Sequence, residues 1–143
     1  MSIGDAEIKT QERVINFFKD PEILGYQYIG NLSDFQNKNI KEDRLRQYFR
    51  LKGYADELID GAVTQLQQEA GNLSRGLYDA NKTVYSRLKY GIPVSESPEK
   101  APVTVQLIDE DNPLNNDFAI AEEVTVVEQA EKRPDLVIYL NGV

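Results

Sequence analysis

The sequence predicts an α+β protein, with a helix-rich first two-thirds followed by an incomplete mixed sheet. Three observations carry this. Apolar residues recur at helical spacing through residues 42–90. After Pro102 the period drops from 3.6 to 2, as in Val103, Val105 and Leu107. The chain then closes on an unbroken apolar run, Leu136-Val137-Ile138-Tyr139-Leu140, followed by Asn141-Gly142.

Thr10 reads as an N-cap and Glu12 suits the first turn of a helix, Gln11 to Lys19. Its apolar stripe is Val14, Ile15, Phe17 and Phe18, and Pro21 ends it. Tyr26 to Ile29 is a short strand, and Gly30 to Asn39 a polar loop. A helix near Glu42–Lys52 presents Leu45, Tyr48 and Phe49, with Gly53 as its C-cap. The next, near Ala55–Ala70, presents Leu58, Ile59, Ala62, Val63 and Leu66, one clear core face. A third, about Ser74 to Tyr90, turns Leu77, Tyr78, Val84, Tyr85 and Leu88 inward and stops at Gly91 and Pro93. Val94 to Pro102 is a Ser/Pro/Glu loop. Asp109-Glu110-Asp111-Asn112-Pro113 is a turn, and Phe118 to Gln129 supplies one or two strands. Glu131 to Pro134 turns the chain into the last run, whose unbroken apolarity suggests a strand buried on both faces. Asn-Gly after such a run is a hairpin signal, so a returning strand is expected beyond residue 143.

Composition narrows the chemistry. With 143 residues, 41% of them hydrophobic and 28% charged, the chain suits one folded domain rather than a disordered segment. Cysteine and histidine are both absent, which excludes disulfides, thiolate nucleophiles, zinc sites with sulfur or imidazole ligands and every His-dependent triad. Carboxylates holding a hard cation such as Mg²⁺ remain. A net charge of -8 gives no overall basic field for a phosphate backbone, so nucleic-acid contact needs a local patch, a metal or a partner. The first residues lack the basic and apolar regions of a signal peptide and no stretch has membrane-spanning length, so cytoplasmic is the default compartment. The three Asn-x-Ser/Thr matches, at Asn31, Asn72 and Asn81, read as chance in that setting.

Pro134-Asp135 ahead of a buried strand has a sharp chemical reading. A carboxylate at a strand edge is held rigidly and can ligate Mg²⁺ beside a scissile phosphate. From pattern alone the turn reading of Asp135 is favoured. The acidic stretch from Asp109 to Asp117 fails the EF-hand pattern at Pro113 and reads as a solvated Asn/Asp turn. Lys41, Arg44, Arg46, Arg50 and Lys52 make the second helix locally basic, a possible DNA-facing surface, although Glu42 and Asp43 favour a solvated face. Tyr48, Tyr78, Tyr85 and Tyr90 sit at helical core spacing and read as packing residues. No phosphate loop of either common pattern occurs.

The chain resembles the N-terminal region of the restriction (R) subunit of type I restriction-modification enzymes. The matching segments are Glu12-Arg13-Val14-Ile15, Leu24-Gly25-Tyr26, Leu77 to Lys82, Arg87 to Gly91, Asp111-Asn112-Pro113, Asn116-Asp117-Phe118 and Glu122 to Val126. Most specific is Lys132 through Pro134-Asp135 to Asn141-Gly142. The resemblance implies a restriction-endonuclease-like core of the PD-(D/E)xK type, a helical segment about 42–91 and a partial nuclease sheet about 103–143. It implies that Asp135 is the catalytic, metal-binding aspartate. The family's Glu-x-Lys lies on the strand after the Asn-Gly turn, and Glu12 is a possible third acid. Implied cofactors are Mg²⁺ for the nuclease site and ATP for downstream motors. Implied partners are DNA and the modification and specificity subunits, with no membrane.

Two expectations about residues 1–143 alone follow. With one carboxylate and no returning strand, they should not cleave DNA, and strand 136–140 should offer an edge prone to pair with another copy. A competing reading is a non-catalytic module whose helices, 42–90, dock other subunits. An acidic DNA mimic is disfavoured, because 16 basic residues are interspersed among the 24 acidic ones.

Overall fold

The computed structural model describes residues 3–32, 40–122, 126–127, 131–132 and 136–143; for 3–5, 126–127 and 131–132 the description is of the backbone. Most of the expected loop from Gly30 to Asn39, and Arg133-Pro134 of the turn before the last strand, lie outside the described residues. Along the chain lie α1 (Ile3–Lys19), β1 (Gln27–Asn31), α2 (Glu42–Leu51), α3 (Asp56–Gly71), α4 (Leu77–Tyr90), β2 (Ile92–Val94) and β3 (Val103–Val105). After them come β4 (Phe118–Glu122), β5 (Val126–Val127), β6 (Glu131–Lys132) and β7 (Leu136–Leu140). The α+β class holds. The chain divides into two compact units: residues 1–39 with 118–140, and residues 40–117 with 141–143.

In the second unit α3 is the organising element. Leu58, Ile59, Ala62, Val63 and Leu66 are its buried residues, the face its spacing predicts. They join Leu45, Tyr48 and Phe49 of α2 with Ile92, Val94, Val105 and Leu107 in one core. β2 pairs antiparallel with β3, Ile92 opposite Val105. Helix α4 thus ends where Gly91 and Pro93 predict, and a short strand that the sequence reading leaves out follows at once. Proline is tolerated in a short two-stranded ribbon, and Ile92 and Val94 turn to the core. β3 belongs to this ribbon rather than to the sheet of β4 and β7.

Helix α4 departs most from expectation. Ala80 is its buried residue, Val84 and Leu88 are partly buried, and Leu77, Tyr78, Tyr85 and Tyr90 are exposed. Tyr48 does pack in the core. The small Ala80 permits close packing against α3, and Arg87 reaches the Glu69 carboxylate at 2.7 Å and 2.8 Å. Tyr78 and Tyr85 lie on the opposite side of the helix and face outward.

In the first unit, β1 runs parallel to β4 and β7 antiparallel to it, giving the order β1-β4-β7 in a mixed sheet. β5 pairs with β6 in a separate two-stranded ladder. Helix α1 starts earlier than the expected Thr10 cap. Thr10 sits inside it, and its hydroxyl donates to the Ala6 carbonyl at 3.0 Å. Rings of Phe18, Tyr26 and Phe118 follow one another with centroids 5.1 Å apart at each step. β7 is not buried on both faces: Tyr139 is buried, but Ile138 is 49% exposed. It is the edge strand of the described sheet, so Ile138 has a neighbour, Ile120, on one side only.

Candidate functional site

Asp135 lies outside the described residues, as do residues 128–130 and 133–134 that lead to it. The structure does describe the strand that follows it. Leu136 to Leu140 pair in order with Glu122 to Phe118, an unbroken antiparallel register. Asn141 donates its backbone N–H to the Asp117 carbonyl at 2.8 Å. In an antiparallel ladder such pairs alternate. Residues 137 and 139 therefore aim their amides at β4, and 136, 138 and 140 aim theirs away.

Glu122 is the Cα partner of Leu136, the residue after Asp135. Its carboxylate is held on both oxygens. Gln11 Nε2 of α1 donates to Oε2 at 2.9 Å, and the Tyr28 hydroxyl of β1 donates to Oε1. Burial, and then the hydrogen bond and charge of Glu122, push the pKa of the Tyr28 hydroxyl up to about 12. The phenol thus stays a donor at any physiological pH. Lys19 Nζ lies over the Tyr28 ring, 5.1 Å from its centroid. Helix α1 and two strands together fix one carboxylate at the end of β4.

Glu122 lies in a segment that carries the family resemblance but is not among the site residues that the sequence singles out. The available signal is its place as the final, charged residue of an otherwise apolar strand, Phe118-Ala119-Ile120-Ala121-Glu122. Glu12 is exposed on α1, one residue from the Gln11 that faces Glu122. Among the described residues no three acidic side chains converge as a metal cluster. The donors a metal would find in this chain are oxygens, since imidazole and thiolate are absent; that donor set suits Mg²⁺ rather than softer metals.

At the other end of β7 the chain turns through Asn141 (φ 52°) and Gly142 (φ 85°). Two successive positive φ values are what a two-residue I′ hairpin connection requires. Asn141 is also fully buried. Its Nδ2 donates to the Leu107 carbonyl at 2.8 Å and to Asn116 Oδ1 at 2.9 Å, and its Oδ1 accepts from the Asp117 N–H at 2.6 Å. Gly142 approaches the start of α2 so closely that a Cβ there would lie 2.5 Å from the Lys41 carbonyl oxygen. Lys41 N–H in turn donates to the Gly142 carbonyl at 2.7 Å.

Three of the basic residues expected to face DNA from α2 are engaged in ion pairs, while Arg50 is exposed and in no ion pair among the described residues. Arg44 pairs with Asp117 at 2.8 Å, Arg46 with Glu42 at 2.8 Å and Asp60 at 2.6 Å, and Lys52 with Asp109 at 2.6 Å. Asp109 itself is buried, not solvated. The Lys52 ammonium and the Asn112 N–H hold the pKa of its carboxyl down at about 2.

The family described as Type I restriction enzyme R protein N terminus (HSDR_N) matches residues 7–143. No curated protein matches the chain. No solved structure does either.

Proposed function

The chain belongs to the type I restriction enzyme R protein N-terminal family, and from that premise we propose that it forms part of the endonuclease domain that cuts unmodified foreign DNA after ATP-driven translocation. The observation that carries the reading is the placement of β7. A rigidly registered strand follows Pro134-Asp135 and leads into a left-handed Asn141-Gly142 turn, the arrangement a strand-edge carboxylate and a returning strand need. On this reading Asp135 is a metal ligand, and the Glu-x-Lys that the family implies lies on the strand after the turn.

A divalent cation held there supplies Lewis-acid chemistry, acidifying water and neutralising charge that develops on the scissile phosphate. The chain's own residues position. β4 holds β7 in register, and Gln11 and Tyr28 lock Glu122 beside the start of β7. The buried Asn141 amide fixes the turn. ATP, the motors that consume it, and the modification and specificity subunits belong to the whole assembly. Glu12, exposed on α1, is a proposed third acid of lower rank than Glu122 by position.

The test uses the whole R subunit assembled with its partner subunits, with Mg²⁺ and ATP, beside the Asp135→Ala variant. Loss of DNA cutting with ATPase activity retained is the expected result. Undiminished cutting would make Asp135 a turn residue and return the domain to the interaction-module reading.

A further inference from the structure

We propose that the outer face of α4 is a contact surface for the phosphate backbone of duplex DNA. This rests on the reading of the chain as part of a DNA-acting restriction subunit. Tyr78, Lys82, Tyr85 and Lys89 stand at i, i+4, i+7 and i+11 of one helix. At 100° per residue they fall within about 60° of one another, on a stripe about 16 Å long. That stripe lies opposite the buried Ala80 and the paired Arg87. Arg75 lies two residues before the helix at the same heptad phase as Lys82 and Lys89.

A merely solvated helix face would mix charges and avoid large rings. This one carries no acid, and its tyrosines are 77% (Tyr78) and 64% (Tyr85) exposed. Among the described residues, ion pairs engage Arg44, Arg46 and Lys52 of α2 and Arg87 of α4; Arg75, Lys82 and Lys89 are exposed and in none of them, as is the isolated Arg50 of α2. Lys89 Nζ lies 5.2 Å from the centroid of the exposed Tyr90 ring, a contact that leaves its charge in place. In a chain of net charge -8, a one-signed stripe of this kind selects an anionic partner. Lysine ammonium groups and tyrosine hydroxyls are both donors that phosphate oxygens accept. Regular spacing along a straight rod matches a regular polyanion better than an irregular acidic protein surface.

The experiment measures binding of the assembled R subunit to non-specific duplex DNA across a salt series. For Lys82→Ala/Lys89→Ala we expect weaker binding and a log–log salt slope shallower by about 2, one unit for each phosphate no longer neutralised. Tyr78→Ala/Tyr85→Ala should weaken binding at every salt concentration while leaving the slope intact, because no charge is removed. Lys100→Ala, removing a cation already paired with Glu96, should change neither. An unchanged slope and affinity in the lysine double variant would overturn the proposal. So would failed subunit assembly with DNA binding intact, which would assign the stripe to an acidic protein. Failure of the nuclease reading is seen separately, in cutting by Asp135→Ala, whose salt slope should equal that of the unaltered subunit.

Discussion

At the scale of single residues, three buried polar groups set the sharpest expectations. Asn141 satisfies three backbone and side-chain partners from a fully buried position. Asn141→Ala should cost on the order of 2–4 kcal/mol, because the Leu107 carbonyl and the Asp117 N–H lose their partner without access to water. A lower urea midpoint with unchanged m-value checks it. Tyr48 presents the opposite case. Its hydroxyl is buried with no hydrogen-bond partner among the described residues. Tyr48→Phe should therefore leave stability unchanged or raise it by about 1 kcal/mol in the same titration. Asp109 gives a pH dependence. Its folded-state carboxyl pKa is depressed from 3.8 to about 2, so its contribution is present above pH 3.8 and is lost as pH falls toward 2. Acid unfolding of Asp109→Asn should lack the part of the transition that lies in that window.

At the scale of elements, the helices test how far pattern reaches. Leu66 lies fully buried on α3, and Leu66→Ala should cost roughly 2–5 kcal/mol. Tyr85→Ala, at an exposed position of α4, should stay within about 0.5 kcal/mol, measured by the same unfolding curve. The contrast shows what the sequence makes legible. On α3 the apolar residues at core spacing are buried, because Leu58, Ile59, Ala62, Val63 and Leu66 define one face and leave no alternative. On α4 the tyrosines at equal spacing face out, because a single Ala80 and an Arg87–Glu69 pair outweigh them. That pair is long-range and invisible to periodicity. Ribbon β2–β3 is hidden for a related reason: Gly91 and Pro93 do end α4, but the pairing of Ile92 with Val105 that makes a strand of the next residues is long-range. In the candidate site, the turn after β7 can be read from local pattern, whereas that pattern makes Asp135 a turn residue and only the family resemblance makes it a metal ligand. The Gln11–Glu122–Tyr28 arrangement cannot be read from local pattern, since Gln11 and Tyr28 lie 111 and 94 positions from Glu122 in the chain.

At the scale of the whole molecule, charge and sheet order carry the functional argument. Arg44, Arg46 and Lys52 are engaged within the fold, and the exposed cationic stripe is on α4. The described sheet ends at β7, whose 138 and 140 amides aim away from β4. In hydrogen exchange, residues 137 and 139 should be slow and 138 and 140 faster in residues 1–143 alone. In the whole R subunit, 138 and 140 should become slow if the strand after Gly142 pairs there. Equal rates in both forms would remove the returning strand from the proposal. No helix among the described residues is long and apolar enough to cross a membrane.

The discontinuity of the two units bears on the order in which the protein is made. β1 is complete by Asn31, yet its partner β4 begins at Phe118. A ribosome must therefore synthesise the whole of residues 40–117 before the sheet can start to zip. The helices of that intervening segment need only near neighbours and should gain protection first, with the sheet closing late across a large loop. Even they wait for a final step, since the N–H of Lys41 finds its carbonyl acceptor in Gly142. Pulse-labelled exchange during refolding should show α3 amides protected before those of β4. Simultaneous protection would mean that the two units fold as one.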